Sequence, residues 1–246
     1  LPASTEAFYI FTSGTTGMPK ASVMSHNRWL ASLSGIGGLA VRLKHSDTMY
    51  VPLPLYHNNA LSVSLSSVLA AGACIAIGKH FSASKFWDDV IRNRATAFCY
   101  IGELCRYLLA QPEKPTDRSH DVRLIVGNGM RPDIWDEFQR RFGIDRIVEF
   151  YGASELNLVF VNAFSVKRSA GFCPLPYKIV EYDADGNPVR DENGRLTEVP
   201  RHGTGLLIAG ITDRVPLDGY TDDDETEKKV IRDAFKEGDA YINSGD

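Results

Sequence analysis

Hydroxyl residues and glycines are concentrated in one short segment near the start of the sequence, FTSGTTGMPK at residues 11–20. Glycines let a backbone approach a ligand closely, and hydroxyl and N–H groups can surround phosphate oxygens. The lysine that closes the segment adds a compact positive charge. We therefore predict a phosphate-binding loop formed by Thr12, Ser13, Gly14, Thr15, Thr16, Gly17 and Lys20.

The spacing within this loop differs from that of the P-loop, which requires GxxxxGK followed by Ser or Thr. Here Gly14 and Gly17 are three residues apart, and Ala21 follows the lysine. A P-loop kinase or GTPase is therefore disfavoured. The apolar run at residues 8–11 predicts a buried strand, which would place the loop at a strand end, where open α/β sheets bind ligands.

A second segment rich in chemically useful side chains is EFYGASELN at residues 149–157, directly after another predicted strand. Tyr151 could stack on a planar ring, and Ser154 could bond to a phosphate or a carboxylate. Glu155 is the type of ligand that a hard cation such as Mg²⁺ prefers. Taken alone, Tyr151 followed by Gly152 at a strand end also fits a simple turn.

Composition and charge exclude several classes of protein. The chain has 246 residues, 43% of them hydrophobic, and a net charge of −4, so no basic field is available to recruit nucleic acid. The uncharged stretch 60–78 contains serines and an Ala-Gly break. It predicts a buried helix, a glycine stop and a short strand rather than a membrane span, with peripheral attachment left open. We expect reduced core cysteines in a cytoplasmic protein at Cys74, Cys99, Cys105 and Cys173.

The elements that must position these residues alternate between short apolar runs and amphipathic ones, a pattern typical of βα units. We predict an α/β fold with a mixed, largely parallel sheet flanked by helices, followed by a small β-rich subdomain. The predicted domains are an α/β nucleotide- and acyl-binding core at 1–170 and a β-rich subdomain at 171–246. The predicted strands of the core are 7–11, 48–53, 73–77, 97–101, 122–126 and 146–150.

In the second half, strands are predicted at 178–182, 205–211 and 240–243, with tight turns at 185–188 and 192–195. A charged helix is predicted at 224–235. The acidic run 222–225 is interpreted as a solvated helix N-terminus, where negative charge suits the helix dipole.

Together the two segments closely resemble the signature pair of acyl-adenylate-forming enzymes, the AMP-binding superfamily, in TSGTTGMPK and YGASE. PLYHNN at 54–59 and NSGD at 243–246 resemble two further motifs of that family. GNGMRPDIW at 127–135, with DGY…ETEKKV…GDAYINSGD at 218–246, resembles the branch of very-long-chain acyl-CoA synthetases, also called fatty acid transport proteins. The resemblance covers essentially the whole chain.

Two departures from the family pattern stand out. Leu156 occupies a position at which that branch usually has glycine. Complete members also carry a region before the phosphate loop and a mobile C-terminal domain with a lysine needed for adenylation. By family standards the chain is therefore a fragment of the N-terminal domain, its second subdomain ending at the hinge to that absent domain, and we expect little or no activity from it alone.

The resemblance implies an ATP-dependent ligase of fatty acid metabolism. Such an enzyme converts a long- or very-long-chain fatty acid to acyl-AMP and pyrophosphate, and then forms acyl-CoA. Mg²⁺ is the implied cofactor, with ATP and CoA as co-substrates. Two alternatives stay open: a fatty acyl-AMP ligase that delivers to a carrier protein, and a non-catalytic nucleotide- or acyl-binding module. Oligomeric state is also left open.

Site roles follow from the same resemblance. The loop and Lys20 would hold the β- and γ-phosphates, and Tyr151 would stack on adenine. Ser154 would contact the α-phosphate or the substrate carboxylate, Glu155 would hold Mg²⁺, and Asp246 would accept hydrogen bonds from the ribose. Gly152 belongs to the same motif. Lys20 and Glu155 are implied as catalytic residues.

The turn after the strand at 122–126 is the next implied site element. Its residues Gly127, Asn128, Gly129 and Met130 would form a wall of the adenine and acyl pocket, although a plain strand-to-helix turn would look the same. His57, as a catalytic residue, and Asn58 would lie near the reacting carboxylate and the acyl tunnel. A loop histidine with ordinary hydrogen bonds is the alternative for His57.

Overall fold

The computed structural model describes residues 2–12 and 18–246, and the chain packs as two compact units. The first unit comprises the described residues up to Ile10, Met24–Tyr151 and Phe160–Phe172. The second comprises the described residues within Phe11–Val23, together with Gly152–Val159 and Cys173–Asp246. The predicted division into a nucleotide- and acyl-binding core at 1–170 and a β-rich subdomain at 171–246 stays a prediction.

A six-stranded sheet forms the centre of the first unit. The chain begins with a separate two-stranded sheet of β1 (Glu6–Thr12) and β2 (Lys20–Ser25). The prediction of a buried strand at 8–11 is wrong in its burial, because this small sheet leaves Tyr9 and Phe11 48% and 71% exposed. The strands of the larger sheet are β3 (Thr48–Val51), β4 (Cys74–Ile77), β5 (Ala97–Ile101), β6 (Leu124–Asn128), β7 (Arg146–Tyr151) and β8 (Phe160–Val161). They lie in the order β4-β3-β5-β6-β7-β8, and every pair is parallel except β7 with β8. The prediction of a mixed, largely parallel sheet is confirmed.

Helices connect these strands, as the βα pattern predicts. They are α1 (His26–Ser32), α2 (Leu65–Ala71), α3 (Phe86–Arg92), α4 (Gly102–Leu109) and α5 (Trp135–Phe142), with π-helical segments at Leu33–Val41 and Asn59–Ser64. The uncharged stretch folds as predicted, because α2 ends at Gly72, whose φ of 60° is left-handed, and β4 follows. Among the described residues, no helix has the length and apolar character needed to cross a membrane.

The core of the first unit is aromatic. The rings of Phe86 and Phe98 meet edge to face with centroids 4.9 Å apart, and α5 contributes the buried Trp135 and Phe138. Cys99 and Cys105 are also buried here, as Cys173 is in the second unit. Cys74 is exposed, so its prediction as a core residue is wrong. The reason is its place on β4, which is an edge strand.

The second unit contains a four-stranded antiparallel sheet, in agreement with the predicted β-rich region. Its strands are β9 (Tyr177–Val180), β10 (Leu206–Ile211), β11 (Val230–Arg232) and β12 (Ala240–Asn243), in the order β11-β12-β10-β9. Val180 and Ile208 are fully buried in its small core. The two predicted turns form around aspartates, since Asp183 accepts from the N–H of Asn187 at 2.8 Å and Asp191 accepts from that of Arg195 at 2.8 Å.

The predicted charged helix at 224–235 is wrong beyond its first turn. The helix is α6 (Asp223–Glu227), and β11 replaces its expected continuation. Val230 and Ile231 pair with Ile242 and Tyr241 of β12. β-Branched residues that find a strand partner gain more from sheet pairing than local helix propensity offers.

Gly127 of β6 lies very close to the neighbouring strand β5. A Cβ atom on this residue would lie 2.2 Å from the carbonyl oxygen of Tyr100 on β5. Contacts this short cannot exist without displacement of the backbone, so only glycine fits.

We predict that Gly127→Ala lowers the free energy of unfolding by about 1–3 kcal/mol, the usual cost of overpacking a tight core. The matched control is Gly35→Ala, because a Cβ atom there would meet nothing within 4 Å. Urea unfolding followed by circular dichroism measures both variants. Equal stability of the two would contradict the close approach at Gly127.

Candidate functional site

In the second unit, Lys20 and Glu155 lie around one buried aromatic ring, that of Tyr220. Tyr220 is 6% exposed. Its hydroxyl hydrogen-bonds to the carboxylate of Glu155, and the Lys20 Nζ lies 5.8 Å from the ring centroid. An ammonium at this distance from a ring face is attracted by the ring's negative face. Both residues that we predict as catalytic in this unit are therefore held by the same side chain.

Glu155 is also paired with Lys229. The Lys229 Nζ lies 3.0 Å from Oε1 of Glu155 and 5.9 Å from the centroid of the Tyr220 ring. Burial alone would raise the pKa of Glu155. The hydrogen bond from its own backbone N–H, with the hydrogen bond and charge of Lys229, outweighs burial and holds the pKa below its usual value. The carboxylate is therefore ionised at neutral pH.

Lys20 has an acidic partner in α6. Its ammonium forms an ion pair with Glu225, and the side chains of both residues are 20% exposed. Hydrogen bonds from Lys20 and then Lys228 lower the pKa of Glu225 to about 2. Asp222 caps α6 by accepting from the N–H groups of Asp224 and Glu225, as expected for a helix N-terminus. Glu225, by contrast, belongs to the candidate site and is not only a solvated charge.

Backbone pairing fixes the segment that carries these partners. Tyr220 forms a β-bridge with Ser22, and the N–H of Val23 donates to the carbonyl of Gly219 at 2.9 Å. The hydroxyl of Ser22 donates to the carbonyl of Ser154 at 2.7 Å. Segments distant in the sequence are therefore tied to β2 next to Lys20.

Sequence reasoning missed Tyr220, Glu225 and Lys229 as site residues. All three lie in the segment DGY…ETEKKV, whose resemblance to the family pointed to the branch and to no role for these side chains. The available signal was an acidic run followed by two lysines. The run supplies Glu225 as the counter-charge of Lys20, and the lysines supply Lys229 as the counter-charge of Glu155.

The other predicted residues of this unit are placed as follows. Thr12 Oγ1 donates to the carbonyl of Lys20 at 3.4 Å, whereas Ser13, Gly14, Thr15, Thr16 and Gly17 lie outside the described residues. Gly152 is exposed and Ser154 half-buried. The carbonyl of Asp246 accepts from the N–H of Leu207 at 3.0 Å, which ties the end of the chain to β10.

In the first unit, the turn predicted from Gly127 begins two residues later than expected, because β6 continues to Asn128. The turn is attached to a buried acid, Glu149 of β7. Glu149 is 6% exposed. Its Oε1 accepts from the N–H of Met130 at 3.0 Å, and the hydroxyl of Tyr100 donates to Oε2. Burial raises the pKa of Glu149 to about 7, although the hydrogen bonds from Tyr100, Met130 and Gly129 act in the opposite direction.

The predicted acyl residues begin next to this turn. Asn59 directs its amide Nδ2 to the carbonyl of Tyr100 at 2.8 Å and to Oδ1 of Asn128 at 3.1 Å. The N–H of Asn59 also donates to Nδ1 of His57 at 3.2 Å. Asn58, half-buried, lies between them. His57 and Asn58 therefore directly precede in the sequence a residue, Asn59, that contacts Asn128. Partial burial of the His57 ring lowers the pKa of His57.

Tyr151 ends β7, and its ring contacts that of Phe160 edge to face with centroids 6.0 Å apart. Its predicted stacking on adenine stays a prediction.

The residues present fit a magnesium ion at Glu155. Within residues 2–12 and 18–246, no three His, Cys, Asp or Glu side chains form a metal-binding group. Mg²⁺ does not need one, because it usually keeps several waters and takes one or two carboxylates plus substrate phosphates. A single ionised carboxylate such as Glu155 suits that mode of binding.

Known proteins with similar sequences identify the family of this chain. Residues 1–198 match the family described as AMP-binding enzyme. The chain belongs to this family. It is 60% identical over 245 residues to the medium/long-chain-fatty-acid–CoA ligase FadD6 of Mycobacterium tuberculosis, covering 99% of this chain and 41% of the relative. It is 44% identical to the long-chain fatty acid transport protein 2 of Rattus norvegicus, covering 99% of this chain and 40% of the relative.

The chain therefore spans less than half the length of these relatives. Among solved structures, it is similar to ATP-bound MatB from Rhodopseudomonas palustris with a TM-score of 0.76 and 21% identity. That match covers 100% of this chain and 46% of MatB. At this level of identity the similarity establishes the fold.

We predict that Glu225→Gln destabilises the protein at neutral pH, because Lys20 loses its counter-charge. A depressed pKa contributes stability above the unfolded value of 4.5 that disappears as pH falls toward about 2. The difference from the unmodified protein should therefore shrink over that range, and also with added salt.

Glu227→Gln is the matched control, since Glu227 and its partner Arg232 are 58% and 62% exposed and such pairs contribute little. Urea unfolding at several pH values measures both. A Glu225 variant that behaves like the Glu227 variant would show that the Lys20 pair does not matter.

Proposed function

We propose that the whole protein carrying this chain is a long- or very-long-chain fatty acid–CoA ligase. It would activate a fatty acid with ATP to acyl-AMP and pyrophosphate, and then transfer the acyl group to CoA. The observation that carries the proposal is the grouping of Lys20 and Glu155 around Tyr220, within a chain of the AMP-binding enzyme family. The fatty-acid–CoA ligase and the fatty acid transport protein among its relatives support a fatty acid as the substrate.

The chemistry requires control of negative charge. In the first step a carboxylate oxygen bonds to the α-phosphorus while the bond from that phosphorus to the pyrophosphate oxygen breaks. The two anions repel each other, so positive groups and N–H donors must screen them. Lys20 and the loop from Thr12 to Gly17 would bind the β- and γ-phosphates, with Ser154 at the α-phosphate or the acid.

Mg²⁺, when bound with ATP, would supply further neutralisation and orientation of the phosphates. Glu155 is the residue we propose to hold it. The fixed partners of Glu155, Lys229 and Tyr220, would keep the carboxylate ionised and restrict its orientation. These two residues are therefore proposed as positioning residues.

The nucleoside and the acyl chain would be bound by the remaining predicted residues. Tyr151 would stack on adenine, beside Gly152, and Asp246 would accept hydrogen bonds from the ribose hydroxyls. The turn from Gly127 to Met130 would form a wall of the pocket. His57 and Asn58 would lie at the entrance to the acyl tunnel, and the lowered pKa of His57 favours a neutral ring there.

In the second step the sulfur of CoA bonds to the acyl carbon while the carbon–oxygen bond to AMP breaks. A carrier-protein thiol could replace CoA in the same step, which makes a fatty acyl-AMP ligase the alternative. A binding module without catalysis is the other alternative. We also propose that the protein is cytoplasmic. The proposal keeps the division of the chain into a nucleotide- and acyl-binding core at 1–170 and a β-rich subdomain at 171–246.

Peripheral contact with a membrane is also part of the proposal. In the first unit Phe164 and Phe172 are 75% and 56% exposed, and Val166 is exposed beside them in sequence. Exposed apolar groups of this kind are common where proteins meet lipid surfaces or partners.

The deciding experiment measures pyrophosphate release by the longer protein with ATP and a series of acids. We expect release to depend on a long-chain fatty acid and acyl-CoA to form when CoA is added. Aryl or amino acids that are better substrates by about an order of magnitude would refute the fatty-acid assignment. Acyl transfer to a carrier protein, with no acyl-CoA formed from CoA, would favour the alternative of a fatty acyl-AMP ligase.

We predict that Glu155→Gln in the longer protein slows adenylation by about two to three orders of magnitude, the typical cost of removing one preorganised electrostatic contact. The amide keeps the size of the side chain and loses the charge that would bind the cation. Fatty-acid binding, measured by calorimetry, should change little.

Glu227→Gln is again the control, because it removes an exposed carboxylate from the same unit. Near-normal pyrophosphate release by the Glu155 variant would remove Glu155 from the site. A loss of fatty-acid binding of similar size would instead indicate general damage to the fold.

A further inference from the structure

Tyr100, Gly127 and Glu149 lie side by side on three neighbouring strands of the first unit. Tyr100 of β5 is in register with Gly127 of β6, which is in register with Glu149 of β7. Residues in register on parallel strands project to the same side of the sheet. A side chain on β6 at this point would therefore separate the other two.

Glycine at position 127 removes that obstacle. A Cβ atom there would lie 2.7 Å from Cγ and 2.8 Å from Cδ1 of Tyr100, so the tyrosine ring covers the glycine. The ring is fully buried, and its hydroxyl reaches across β6 to donate to Oε2 of Glu149. A hydrogen bond between two strands that are not neighbours is possible only because the strand between them has no side chain.

The second oxygen of the carboxylate returns to β6. Oε1 of Glu149 accepts from the N–H of Met130 at 3.0 Å, three residues after Gly127. Buried polar groups are stable only when hydrogen-bonded, so this acceptor and the Met130 N–H depend on each other. Glu149 thus connects the side chain of β5 to the backbone of the turn that follows β6.

The adjoining end of β6 is held by Asn59. Asn59 is 3% exposed, and its Nδ2 donates both to Oδ1 of Asn128 at 3.1 Å and to the carbonyl of Tyr100 at 2.8 Å. Asn128 and Met130 are therefore fixed by different buried side chains, and Tyr100 takes part in both connections.

We propose that Glu149 is a positioning residue for the segment from Gly127 to Met130, which is the end of β6 and the start of the turn after it. It acts through the Met130 N–H and the Tyr100 hydroxyl, without contacting a ligand itself. This inference rests on the proposed function, which assigns the turn to the wall of the pocket. It adds a role for a carboxylate that the motif comparison left without one.

The test compares Glu149→Met with Glu149→Gln. Methionine has a similar volume and only a weak sulfur acceptor for the Met130 N–H. The glutamine carbonyl can still accept from that N–H, and its amide can donate to the Tyr100 oxygen. Hydrogen exchange of the backbone amides at 127–131 is measured by mass spectrometry without ligand. AMP affinity of the longer protein carrying each substitution is measured by calorimetry.

We expect Glu149→Met to speed exchange at 127–131 by about tenfold or more and to weaken AMP binding by about tenfold, as for the loss of one buried hydrogen bond to a charged group. Glu149→Gln should restore most of both. Val90→Ala is the control: Val90 is fully buried on α3, so its truncation lowers stability, and it should leave both readouts unchanged.

Should Glu149→Met not fold, Tyr100→Phe takes its place, because it keeps the ring and removes the donor to Glu149. It should change both readouts in the same direction and by less. Unchanged exchange at 127–131 would overturn the proposal. Faster exchange with unchanged AMP affinity, or a loss in the glutamine variant as large as that in the methionine variant, would overturn it as well.

A longer protein with the unmodified sequence that binds no AMP would contradict the proposed function. The exchange measurement needs no ligand, so it would still decide whether Glu149 holds the turn. The two failures are therefore distinguishable.

Discussion

The hydrogen bond from Tyr100 to Glu149 is the interaction on which the geometry of the first unit's site depends. It crosses a strand, and it exists because Gly127 leaves room for the tyrosine ring beside β6. Burying a carboxylate is unfavourable unless its oxygens are hydrogen-bonded. Here the Tyr100 hydroxyl and the Met130 N–H each donate a hydrogen bond to one oxygen of Glu149. The side chain on β5 and the turn after β6 therefore both offset the cost of burying this carboxylate.

In the second unit, two side chains of like charge lie close to the same ring. Lys20 and Lys229 both lie within 6 Å of the Tyr220 ring centroid, and each has its own acidic partner. The ring face attracts both ammonium groups, and Glu225 and Glu155 neutralise them separately. Positive and negative side chains therefore alternate around a buried phenol, and none of these charges depends on solvent alone.

The sequence predicts much of this architecture because apolar runs and turn residues are local signals. The bounds predicted for β5 and β12, 97–101 and 240–243, are those observed. The helix expected at 224–235 fails because β11 exists only through its pairing with β12, which no local pattern encodes. Cys74 is exposed for a similar reason, since the order of strands makes β4 an edge.

For the candidate site, motifs identify the groups that could bind a ligand and miss the groups that hold them. Glu149 lies inside the segment EFYGASELN, yet its partners are 49 residues away at Tyr100 and 19 residues away at Met130. Glu155 shows the same limit, because Lys229 follows it by 74 residues. Pairings at such separations are products of the fold, and a single sequence gives no measure of them.

The pairing of Glu155 with Lys229 also bears on the order in which ligands would bind under the proposed function. An ammonium 3.0 Å from one carboxylate oxygen repels a second cation and occupies part of the available acceptor. A carboxylate in that position binds a free divalent ion more weakly than an isolated one would. A cation bound together with ATP would bring the negative charge of the triphosphate with it, so Lys229 would repel it less. The electrostatics of the second unit therefore favour Mg-ATP over the separate ion as the species that Glu155 would receive.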